Sequence, residues 1–178
     1  MKSKAHIFIL NAFLFQLGWF GCILGGNHIA VICLVIILSI HFYLIGNWQQ
    51  ERELLATVLL VGASIDSFWI QLGVIIKPDT QTALVPLWLA CLWVIFATTL
   101  NHSLAWFKSH KLIAIPTGGI AGSASYAVGI QLTELSLGPN GLWFIFVSWL
   151  VLFPLLLLFA DFYQQKATSD TTIDSQQV

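Results

Sequence analysis

With 178 residues, 58% hydrophobic and only 8% charged, the chain lies far from soluble composition, in which about a quarter of residues carry charge. A net charge of −1 leaves no basic footprint for nucleic acid, and the apolar runs leave no room for a soluble domain. The three cysteines, Cys22, Cys33 and Cys91, sit inside apolar runs without a CxxC pair or zinc-ligand spacing, and read as small packing residues.

Six apolar runs of about 20 residues, the length that crosses a bilayer as a helix, use most of the sequence. They predict an all-α polytopic membrane protein, a bundle of six transmembrane helices over residues 1–160. The first span covers 6–24. Its Asn11 and Gln16, and the bulky Trp19 and Phe20 before Cys22, argue against a cleaved leader or a lipoprotein signal. Gly25-Gly26-Asn27 marks a turn, and the second span covers 28–46. Residues 47–53 are a polar connection, and the third span covers 54–76. Pro78 and Asp79 mark the next turn, before a fourth span at 84–105. Residues 108–111 form a short polar loop. A fifth span at 112–135 is rich in Gly and Ser. Gly138-Pro139-Asn140 is a turn, and the sixth span covers 141–160 with a kink at Pro154. The polar tail, 161–178, is expected to be disordered and cytoplasmic.

With six spans, Lys2, Lys4, Arg52, Lys108, Lys111 and Lys166 fall on one side and Lys77 on the other. The positive-inside rule then puts both termini in the cytoplasm. Trp48 and Trp106 fall at the inner boundary and Trp88 and Trp143 at the outer one, as an aromatic belt requires.

The third span carries Asp66 near its centre, where an acid costs roughly 2.5–3.5 kcal/mol on insertion scales and so faces protein or water. Either it handles protons, ions or substrate, or it is a packing device hydrogen-bonded to a neighbouring helix. Counting roughly 1.5 Å per residue, Gln16, Asp66, Tyr126 and Ser148 share a mid-membrane layer. Asn11, His41, Asn101 and His102 share a shallower layer on the cytoplasmic side. Two imidazoles can move protons or bind metal, but a third strong ligand at their depth is missing, so no metal site and no cofactor are expected. Tyr126 is the first choice of partner for Asp66.

Small residues mark close helix contacts. Gly62, Asp66, Ile70 and Gly73 fall near one helix face, and Gly118, Gly122 and Gly129 with Ser125 form a small-residue surface containing GxxxG. Packing inside the bundle is favoured over a homo-oligomer through Gly118 and Gly122. No GxSxG, HExxH or P-loop appears, so no catalytic residue is assigned.

Several stretches together resemble a bacterial inner-membrane family, domain of unknown function 2878. They are Asn11 with Phe15-Gln16 and Gly18-Trp19-Phe20, then Asp66, then Pro86-Leu87-Trp88. Leu92-Trp93 with Phe96-Ala97 follows, then Thr99-Leu100-Asn101, Ser103-Leu104 and Trp106, and finally Gly122, Tyr126 and Gly129. The resemblance covers nearly all of the chain except the tail. It departs at Ser123, where the family carries proline after the glycine. The resemblance implies a location in the inner membrane and an association with fatty-acid modification, but no activity. The expectation is a non-enzymatic or accessory protein of envelope lipid modification, with the bilayer and a lipid-modifying enzyme as partners. A small proton-coupled transporter using Asp66 and an intramembrane lipid-modifying enzyme are the alternatives.

Overall fold

The computed structural model describes residues 4–78 and 84–176. Lys2 and Asp79, used above for orientation and for a turn, lie outside the described residues. The elements in order are α1 (Lys4–Leu44), α2 (Trp48–Gln71), β1 (Ile75–Ile76), α3 (Leu87–Ala97), a 3-10 turn (Ala105–Ser109), α4 (Lys111–Gln131), β2 (Ser136–Leu137) and α5 (Gly141–Gln176). Four of these helices, α1, α2, α4 and α5, are long and apolar enough to cross a membrane.

α1 does not run straight. At Gly26 the backbone takes φ 62°, ψ −166°, a region that side chains bar to other residues. A Cβ on Gly18 would run into Ile37, and one on Gly21 into Cys33. The chain before and after Gly26 therefore lies side by side as two antiparallel limbs. The reversal falls within the predicted Gly25-Gly26-Asn27 turn. Asn27 Oδ1 then accepts from Trp88 N at 3.0 Å, tying this turn to the start of α3.

α3 lies between two cores. On one side Leu14, Cys22, Ile37, Cys91 and Ile95 join α3 to the limbs of α1. On the other, Leu54, Val58, Trp93, Ile145, Trp149 and Leu156 join it to α2 and α5. Outward-facing residues are as apolar as the core: Leu24, Leu60, Leu112 and Val151 are all more than 60% exposed. On a soluble protein this would be an interaction patch; on helices long and apolar enough to cross a membrane it suits a lipid environment.

Four expected boundaries are corrected. α2 starts at Trp48, not at residue 54, because Asn47 caps it by accepting from Gln49 N at 2.9 Å. α2 also ends earlier than residue 76. Gly73, at φ 71°, turns the chain into β1, which pairs antiparallel with β2 through Ile75–Leu137 and Ile76–Ser136. The fourth apolar run is not one helix to residue 105. α3 ends at Ala97, and the hydroxyls of Thr98 and Thr99 bond back to Ile95 O and Phe96 O. Finally, the tail is not disordered from residue 161, since α5 continues to Gln176. Lys166 pairs with Glu53 at 2.7 Å, Lys108 with Asp161 at 3.4 Å, and the Tyr163 and Thr57 hydroxyls bond at 2.8 Å. These contacts dock the start of the tail on α2 and the 3-10 turn.

Candidate functional site

An aromatic cavity of about 550 Å³ lies between the first limb of α1, α3, α4 and α5. Its wall is built by seating indoles against glycines. A Cβ on Gly62 would overlap the Trp93 ring, and one on Gly122 would overlap Trp149. With hydrogen in place of Cβ, the two indoles stack at 5.6 Å between centroids and 6° between planes. Phe96 meets both rings edge-on, and Tyr126 tilts against Trp149. Gly118 makes the same kind of room for Phe153. Gly118 and Gly122 thus pack α4 on α5 inside the bundle, the arrangement favoured over a homo-oligomer contact. Gly129 faces Ile23 of α1, with 3.3 Å left for a Cβ. Gly73 is not a packing glycine among the described residues, since a Cβ there would meet none of their atoms within 4 Å; its positive φ is its role.

Asp66 lies behind this wall and is fully buried. Tyr126 Oη donates to Oδ1 at 2.6 Å, as expected, and Trp93 Nε1 donates to Oδ2 at 2.6 Å, which the sequence did not indicate. One carboxyl group thus clamps two aromatic rings of the cavity wall. Gln16 and Ser148 do not join it. Gln16 stands exposed at the cavity's edge, and Ser148 Oγ bonds back to Phe144 O of its own helix at 2.8 Å. Equal depth did not bring these residues together because their side chains leave the helices in other directions.

Gln16 and Phe20 on α1 and Ala121, Ala124 and Val128 on α4 both line the cavity and are exposed. The cavity therefore opens sideways between two helices long and apolar enough to cross a membrane. Trp19 Nε1 donates to Ser125 Oγ at 2.9 Å as a strut between them.

The expected cytoplasmic-side layer resolves into three separate groups. Asn11 fills the break after α3: its Nδ2 donates to Thr98 O at 3.1 Å, and its Oδ1 accepts from Ser103 N at 3.2 Å and Ser103 Oγ at 2.6 Å. Irregular backbone in an apolar setting needs such a substitute for lost helical bonds. Asn101 accepts from Lys108 Nζ at 2.6 Å. Burial holds the Lys108 ammonium below its ordinary range, against the opposing pull of Asp161. His41 and His102 come together, and the third ligand said to be missing is present. Glu51 Oε2 lies 2.8 Å from His41 Nε2 and Oε1 lies 2.8 Å from His102 Nε2. Glu51 lies in the stretch that sequence alone reads as the polar connection 47–53. The signal that could have moved it into the helix is Asn47 followed three residues later by Gln50, a helix-start pattern.

Among known families, the model described as "Protein of unknown function (DUF2878)" matches residues 8–155. That span takes in the cavity, the Asp66 clamp and the His41–Glu51–His102 cluster. No curated protein and no solved structure matches the chain.

Proposed function

We propose that this chain, which belongs to the DUF2878 family, is a six-pass bacterial inner-membrane protein that holds the apolar chain of a membrane lipid in its aromatic cavity. The observation that carries this is the cavity: about 550 Å³, walled by stacked aromatics and glycines, with a mouth between two membrane-crossing helices. Its size falls in the range of small-molecule sites, and its lining is apolar enough that only a ligand with a hydrocarbon body gains by entering. A lipid tail reaches such a mouth from the bilayer without crossing water.

The role that fits is accessory: presenting or shielding a lipid chain for an enzyme of envelope lipid modification. The reversal of α1 and the apolar stretch around α3 supply the two further passes beyond the four long helices. Arg52, Lys108 and Lys111 then share one end of the bundle with both termini, and Lys77 lies at the other, which favours cytoplasmic termini. Asp66 accepts two donors within the wall, which supports a positioning role over that of a proton carrier.

Native mass spectrometry of the protein released from membranes in mild detergent tests the reading. One lipid should remain per chain, and Ala124→Trp, which puts an indole in the mouth, should abolish that retention while leaving the fold intact. Equal retention by both proteins would refute cavity binding. A deletion strain with an unchanged phospholipid acyl profile would refute the role in lipid modification.

A further inference from the structure

The cluster of His41, Glu51 and His102 lies outside the cavity and has no part in the function proposed above. We propose that these three side chains form a binding site for a divalent first-row transition-metal ion. Two imidazole nitrogens and one carboxylate are the donor set of zinc sites with an open position and of non-haem iron(II) sites. Their potential ligand atoms all lie within 4.8 Å of one another. An ion about 2.0–2.2 Å from each ligand atom spans separations up to about 4 Å, so the set closes on it with side-chain shifts below an ångström.

The placement is built rather than incidental. His41 comes from the end of α1, Glu51 from the first turn of α2, and His102 from the irregular stretch after α3. His41 is fully buried and Glu51 nearly so. Gly46 leans over the cluster, and a Cβ there would strike His41 Nε2 and come within 2.6 Å of Glu51 Oε1. Without that Cβ, a small space touches two ligand atoms at once. The His41 and His102 rings meet edge to face at 5.1 Å, so their Nε2 atoms converge on the carboxylate from different directions.

Binding replaces the two N–H···O bonds with metal–nitrogen bonds; the Nε2 proton moves to Nδ1 of a neutral ring, whereas an imidazolium releases it to solvent and keeps its Nδ1 proton. Among the described residues, His41 Nδ1 is buried without a hydrogen-bond partner. The ring is thus held through Nε2 alone, and affinity is set below that of sites whose imidazoles are backed by an acceptor, a difference of about 10–100-fold.

The test uses the full chain in detergent, stripped with chelator and titrated with Co²⁺ alone. The expected result is one Co²⁺ per chain, visible d–d bands, and displacement by Zn²⁺ or Fe²⁺, whose relative affinities identify the preferred ion. Glu51→Gln and His102→Gln should each weaken binding at least about tenfold. His28→Gln and His110→Gln, which alter exposed imidazoles, should leave it unchanged. Binding that survives Glu51→Gln, or that falls with His28→Gln or His110→Gln, would overturn the site. If the cluster variants do not fold, X-ray absorption on the Co²⁺-loaded wild type decides: two imidazoles on the metal support the site. Fewer than two, or no stoichiometric binding, overturn it and leave a hydrogen-bonded His–Glu–His group.

Discussion

Replacing Asp66 by leucine keeps approximate volume and removes both acceptors of the clamp. Trp93 Nε1 can only donate, and once its acceptor is gone it has nothing to bond. Tyr126 Oη loses its acceptor too. A buried donor left unsatisfied costs about 1–3 kcal/mol, while a typical interhelical bond in a membrane protein is worth about 0.6 kcal/mol. Complete burial of Asp66 moves both bonds towards the upper figure, so Asp66→Leu should lose about 2–4 kcal/mol in total. Asparagine behaves differently. Its oxygen can accept from Trp93, and its amide can donate to Tyr126 Oη, which turns to become the acceptor. Asp66→Asn should therefore lose less than about 1 kcal/mol. Thermal unfolding in detergent, followed with a thiol-reactive dye, suits this protein because Cys22 and Cys91 are free and buried. Two results would refute the clamp. One is a leucine variant as stable as wild type. The other is an asparagine variant as damaged as leucine, which would mean that charge, not hydrogen bonding, is what the site requires.

Gly62→Ala and Gly122→Ala each drive a methyl into an indole fixed by stacking, so each should lose about 1–3 kcal/mol by the same unfolding assay and alter tryptophan emission. Gly73→Ala acts through backbone strain instead, placing a Cβ at φ 71°, and should lose about 1 kcal/mol with no change in emission. The ammonium of Lys108 is held below its ordinary pKa of 10.5, so the unfolded chain binds the extra proton more readily. Stability should then rise with pH through the alkaline window between the folded pKa and 10.5, and Lys108→Met should flatten that slope in unfolding midpoints measured against pH. Reporter fusions after Lys111 and after Lys166 should read cytoplasmic, and one after Asp79 periplasmic; a periplasmic signal from the tail would exclude an even number of passes.

Composition was enough to read the class of this molecule, because a chain that is 58% hydrophobic and 8% charged has to expose residues such as Leu60 and Val151 as well as bury Leu54. Pairing Asp66 with Tyr126 was also legible, since a mid-helix acid needs a donor and Tyr126 falls at the same depth by residue count. Trp93 was not legible as the second donor. Its run is uniformly apolar, and it reaches Asp66 only because Gly62 lacks a Cβ one helical turn away. Depth counting failed for Ser148 and Gln16 for a related reason: depth fixes height in the bundle, whereas contact also needs the helix to face inward there.

Helix limits placed by hydropathy fail wherever polar side chains replace solvent. A window that ends a span at the first charge puts Glu51 in water, but the structure sets it against two imidazoles inside α2. A window that sees only apolar residues runs the fourth helix to residue 105, whereas Asn11 serves the backbone groups freed by its break. The two errors have one cause. Asn11, Glu51, His41 and His102 each meet a partner from another segment, and that pairing lets charge enter a helix and lets a helix end inside an apolar region. The break after Ala97 in turn carries His102 to Glu51. A continuous helix through residues 98–104 would rotate and raise His102 away from that position, so the Asn11 contacts are a structural condition for the three-residue cluster.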